Sequence, residues 1–171
     1  MDVTTDMRAG VPALASVGAL RQELRDLYEE IADLLDDDRV ESLPDYFLEE
    51  GVYRITTREN YDQGLPGALM FCEGVPMMRD RILAIRETQV YEPRTWRHFI
   101  SGVQVTGVED DVVKARANFL ITEAMSDRDP TVFVVGRFVD TLVRRGDRLL
   151  FRERIAVCDN HHIRRSIIMP I

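Results

Sequence analysis

The sequence predicts an α+β fold, with helices first and a curved antiparallel sheet after them. Three observations carry this. Apolar residues recur at steps of three and four near the start of the chain, which is the helical period. Four long β-rich runs fill the second half. In one of these, Val113, Ala115, Ala117, Phe119 and Ile121 share one face, while Lys114, Arg116, Asn118 and Thr122 share the other. That alternation marks a sheet with one buried face. Helices segregated from strands argue for α+β rather than alternating α/β. Strands this long coil strongly, so the sheet is expected to curl into a half-barrel with the helices in its concavity.

The elements follow in order. Residues 1–16 contain Gly10, Pro12 and small residues without a period and read as a flexible arm. Residues 17–171 read as one domain. Leu20, Leu24, Leu27, Tyr28, Ile31, Leu34 and Leu35 form one apolar stripe on a helix over 17–36, closed by Asp36, Asp37 and Asp38. A short second helix is expected over 39–47. Residues 51–58 alternate and are β-rich, which predicts a strand. Gly64, Pro66, Gly67 and Gly74 mark 59–75 as a long loop. Pro76 suits the first turn of a helix reaching 88. Strands are then expected over 96–106, 111–125, 131–145 and 148–159, with turns between them at 107–110, 126–130 and 145–147.

The 171 residues include 22 basic and 30 acidic side chains, a net charge of −8. This argues against binding nucleic acid through phosphate neutralisation. No run approaches the roughly 20 apolar residues of a membrane helix. The N-terminus lacks a cationic start with an apolar run behind it, so no secretory signal is expected. Two cysteines are too few for a disulfide framework, and a reduced, cytoplasmic setting is the expectation. The first 50 residues hold 14 acids against four arginines, and Lys114 is the only lysine. Codon usage would explain the arginine bias. So would a subunit whose acidic and basic faces meet other subunits.

The chemical inventory is thin. The three histidines are His98, His161 and His162, and the last two are adjacent, so on a strand they would point to opposite faces. They read as part of a C-terminal tail making subunit contacts. Cys72 has no local histidine to activate it, and Cys158 reads as a small core residue. There is no nucleophile elbow, phosphate loop or dinucleotide fingerprint. No metal site and no activated nucleophile is therefore expected. The best acid–base reading places His98 as a base with Glu123 or Asp140 as an acid, near Tyr53, inside the half-barrel.

Several segments carry a family resemblance over about 17–171. They are Tyr53-Arg54-Ile55-Thr56-Thr57-Arg58-Glu59-Asn60, Met77-Met78-Arg79-Asp80-Arg81-Ile82, Glu92-Pro93-Arg94-Thr95-Trp96-Arg97-His98-Phe99-Ile100, Gly136-Arg137-Phe138-Val139-Asp140, and Phe151-Arg152-Glu153-Arg154-Ile155-Ala156-Val157-Cys158-Asp159. In order and spacing they resemble the beta (small) subunit of Rieske-type aromatic-ring-hydroxylating dioxygenases. Arg58-Glu59-Asn60 is most similar to subunits of enzymes acting on salicylate, anthranilate or terephthalate. The resemblance implies a cone-shaped fold of the nuclear transport factor 2-like, cystatin-like kind. It implies a non-catalytic subunit that trimerises and supports an alpha subunit in an alpha3beta3 hexamer. The Rieske 2Fe-2S cluster and the mononuclear iron would belong to that alpha subunit. Electrons would come from a reductase, with or without a ferredoxin. On this reading Arg58, Glu59, Asn60, Arg79, Asp80, Arg81, Arg97 and His98 are expected to form buried or interface ion pairs. Two other classes share the fold: a stand-alone isomerase or dehydratase using His98, and a small-molecule binding module.

Overall fold

The computed structural model describes residues 14–87, 92–160 and 167–171. Helix α1 (Leu14–Asp36) is followed by a 3-10 helix (Val40–Tyr46), strand β1 (Phe47–Thr57), helix α2 (Arg58–Asp62), strand β2 (Met70–Glu73) and helix α3 (Gly74–Glu87). Four strands complete the chain: β3 (Thr95–Glu109), β4 (Val112–Met125), β5 (Arg128–Arg145) and β6 (Arg148–Cys158). They join β1 and β2 in one sheet of order β2-β1-β6-β5-β4-β3, curved and open, with β2 and β3 as edges. Register breaks interrupt the β3–β4, β4–β5, β5–β6 and β1–β6 pairings. Such irregularities bend strands and increase their twist.

The α+β class and the four late strands match the sequence reading, and several details differ. The sheet is not wholly antiparallel: β1 lies parallel to β6, which places the first strand inside the sheet. Periodicity says which face is buried and nothing about which strand pairs with which. Helix α1 begins at Leu14, inside the expected arm, and residues 1–13 lie outside the described residues. The second helix is a 3-10 turn that ends at Tyr46, with Pro44 inside it. Proline supplies no amide to an α-helical ladder. Residues 59–75 are not one long loop. Arg58–Asp62 is helical, with the Thr57 hydroxyl accepting from the Asn60 amide at 3.2 Å. Met70–Glu73 forms β2, buried at Met70 and Cys72. Helix α3 starts at Gly74, two residues before Pro76. Gly74 has φ +82°, and a Cβ there would stand 3.3 Å from the Glu49 carbonyl, so glycine is the residue that fits.

The core lies between the inner face of the sheet and the helices. Leu24, Tyr28, Ile31, Leu34 and Leu35 of α1 are buried, as the stripe predicts. They meet inward-facing Phe119, Phe138, Leu142 and Phe151. The Tyr28 ring stacks on Phe138 at 6.1 Å, and Phe119 packs on Phe138 at 4.6 Å. Burying one such side chain contributes about 1.5–3 kcal/mol. His161 and His162 lie outside the described residues. The end of the tail packs into the chain's own core: Ile167, Met169 and Ile171 are buried. The Tyr53 hydroxyl donates to the Ile171 carbonyl and accepts from its amide, both at 2.8 Å.

Candidate functional site

The expected interface residues fall into three places rather than one. Arg58 opens α2 and pairs with Asp159 just beyond β6, its Nε 2.7 Å from Oδ1. Glu59 is exposed beside it. The Asn60 side-chain amide donates to the Gly67 carbonyl at 3.3 Å, and the Asn60 backbone carbonyl accepts from the Leu65 amide. Arg54 also donates to the Leu65 and Gly67 carbonyls. Residues 58–69 are thereby held against the outer face of β1 and β6. Arg79, Asp80 and Arg81 sit on α3. Arg79 is exposed and lies 3.6 Å from Asp45, and Asp80 is exposed. Arg81 is half-buried, with its Nε enclosed and unpartnered.

The third place is the end of α1. The Asp36 carboxylate accepts from the His98 backbone amide at 3.1 Å, and His98 Nδ1 lies 2.7 Å from Oδ1. Both side chains are nearly fully buried, at 4% and 3% exposure. Arg97, mostly exposed, lies 3.5 Å from the same carboxylate. Of the eight residues, then, only His98 forms a buried pair, and its partner Asp36 was not among them. Arg58, Arg79 and Arg97 form pairs that are wholly or partly exposed.

The acid–base reading does not assemble. Glu123 is held by Arg94 at 3.3 Å, both side chains buried. Asp140 accepts the Tyr28 hydroxyl at 2.5 Å. Burial raises the Asp140 carboxyl to about 6, against the opposing pull of Arg154 and the Tyr28 hydrogen bond. Along β5, the row through His98 meets Val134, six residues from Asp140. At about 3.3 Å per residue that separates the two groups by about 20 Å. A hollow of about 460 Å³ at the end of α1 is lined by Leu35, Asp36, Trp96 and Met169 among others, but not by Tyr28, Asp140 or Arg154. Burial also pushes the Cys158 thiol to about 12 and raises Cys72, the opposite of an activated nucleophile.

A polar group that sequence reasoning missed lies at the centre of the fold. Arg154 is 2% exposed and is the register partner of Asp140 across β5–β6. Its guanidinium stands 3.8 Å from the Phe138 ring centre and 4.9 Å from that of Phe151. Arg154 Nε and Nη1 and Asp140 Oδ1 are buried without hydrogen-bond partners. The one available signal was a charged residue on the apolar phase of β6. Among the described residues no group of three or more histidine, cysteine, aspartate or glutamate side chains could hold a metal. No helix among them is long and apolar enough to cross a membrane.

A buried face closed over aromatic packing, with Glu123 held by Arg94 and His98 by Asp36, describes a subunit more readily than an active site. Comparison with known proteins agrees. A family model described as the ring hydroxylating beta subunit matches residues 30–165. The small subunit of anthranilate 1,2-dioxygenase from Burkholderia cepacia is 31% identical over 80% of this chain and 85% of its own. A beta subunit of the terminal oxygenase component of terephthalate 1,2-dioxygenase from a Comamonas species is 30% identical over 75% and 84%. A crystal structure from Novosphingobium aromaticivorans, assigned as the beta subunit of an aromatic-ring-hydroxylating dioxygenase, superposes with a TM-score of 0.82. It is 30% identical and covers 90% of this chain and 98% of that one. The chain belongs to the family of ring-hydroxylating dioxygenase beta subunits.

Proposed function

We propose that this chain is the non-catalytic beta subunit of an oxygenase component that hydroxylates an aromatic acid. It acts as one domain over 17–171 in the cytoplasm. It trimerises and supports an iron-bearing alpha subunit as alpha3beta3. The Rieske cluster and mononuclear iron belong to alpha, and a reductase, with or without a ferredoxin, supplies electrons. The observation that carries this reading is the match to anthranilate and terephthalate dioxygenase subunits over three quarters or more of the chain. The separation of His98 from Asp140 supports it over the stand-alone isomerase or dehydratase. Arg58, Glu59, Asn60, Arg79, Asp80, Arg81, Arg97 and His98 are the proposed interface residues.

The test is purification from the native host through a tag on this chain, followed by native mass measurement and iron analysis. A second, larger polypeptide in equal number, carrying iron and acid-labile sulfide, is the expected result. A homo-oligomer free of iron and of any second polypeptide overturns the proposal.

A further inference from the structure

The inner face of the sheet is covered by helices and the tail, and residues 58–69 lie on the outer face of β1 and β6. The outer face of β3, β4 and β5 carries no such cover among the described residues. Its composition is unusual. One cross-strand row is apolar: Phe99, Leu120 and Val135, with Phe99 55% and Val135 38% exposed. The next rows are Ser101, Asn118 and Arg137, then Gln104, Arg116 and Val139, then Lys114 and Thr141. No carboxylate stands in these rows on β3, β4 and β5, and Glu153 of β6 is the register partner beyond Thr141. Arg116 is bound only to the neutral Gln104 side chain, and Arg137 Nε is enclosed without a partner. Lys114, Arg116 and Arg137 form no ion pair among the described residues. An apolar row beside unpaired arginine is the composition of an interface.

The complement lies on the opposite side of the same molecule. Exposed Asp26, Glu29 and Asp33 follow one another on α1 at steps of three and four, which places them on one stripe. Glu29 and Asp33 form no ion pair among the described residues, and Arg21 and Arg25 lie at the flank of the stripe. Beside it, Leu27, Tyr46 and Leu149 line a hollow of about 330 Å³ that can receive side chains from a partner. Gln22 donates to Asp26 at 2.8 Å, but like charges along one helix face repel, and Glu29 and Asp33 have no ion-pair partner among the described residues. The two surfaces point in opposite directions, so they cannot meet within one molecule. Pairing the sheet strip with itself would oppose arginine to arginine.

Resting on the subunit reading above, we propose that the β3–β5 strip receives the acidic α1 stripe of a second copy. The contact is head-to-tail: each copy offers one surface and uses the other. Such contacts close into a ring when the rotation between copies permits.

The test uses the full chain and two sets of charge reversals, each checked for folding by circular dichroism. One set is Arg116→Glu with Arg137→Glu, and the other is Asp26→Arg, Glu29→Arg and Asp33→Arg. By sedimentation each set alone weakens self-association by about tenfold or more. Both sets in one chain restore it to within about threefold of the parent, because the charges again match. Self-association that survives either single set overturns the proposal, and so does failure of the combined chain to recover. A parent chain that stays monomeric overturns it as well. Co-purification of the large subunit is followed in parallel. If the sheet set releases that subunit and leaves self-association intact, the strip belongs to the large subunit. The present proposal then fails while the subunit reading stands.

Discussion

At the scale of single residues, buried polar groups separate those that hold the fold from those that decorate it. Asp36 is enclosed and serves the His98 amide and ring together. Asp36→Ala is expected to lower unfolding free energy by about 3 kcal/mol, since it strands buried donors. Exposed Asp80→Ala is expected to change stability by less than about 0.5 kcal/mol. Urea unfolding of the two variants makes the comparison. Asp140 offers a pH test. Its carboxyl titrates near 6 in the fold, above the ordinary 3.8. Between those values the folded chain holds a proton that the unfolded chain has released, so this group's contribution to stability falls as pH rises from about 4 to about 6. The two-unit difference corresponds to about 3 kcal/mol. Asp140→Asn should therefore gain on the parent between pH 4.5 and pH 7 in urea unfolding, and a constant difference would contradict the assignment.

At the scale of elements, two contacts join parts far apart in sequence. A Cβ at Gly136 on β5 would lie 2.1 Å from the Val157 carbonyl and 2.7 Å from the Phe119 ring. Gly136→Ala is expected to cost about 3 kcal/mol by overpacking, read as a lower urea midpoint. The tail is fixed by Tyr53, whose hydroxyl makes both Ile171 hydrogen bonds. Tyr53→Phe leaves both backbone groups buried and unpaired, at a cost of about 2 kcal/mol. Amide exchange over residues 167–171 should rise more in that variant than exchange in α1. The elements themselves were legible where period and length were strong: α1, β4, β5 and β6. Strand β2 was hidden because four alternating residues between glycines look like loop. The parallel β1–β6 pairing was hidden because alternation carries no partner. The Asp36–His98 and Tyr28–Asp140 pairs span 62 and 112 residues and exist only once the sheet has curled.

At the scale of the whole molecule, the fold encloses its ionisable interior and leaves the outer face of β3, β4 and β5 uncovered among the described residues. The beta-subunit resemblance was legible from short segments in order, and the family match agrees with it. The eight expected interface residues fall in three separate places, because short segments in order do not say which faces the fold brings together. As a proposed beta subunit, this chain supports assembly and performs no chemistry. The most direct measurement is oxygenase turnover per iron in intact complexes carrying His98→Gln, with complexes separated by mass before assay. A non-catalytic role predicts turnover per iron within about twofold of the parent, whatever the yield of complex. An intact complex whose turnover per iron falls by about a hundredfold or more would make His98 a chemical participant and contradict it.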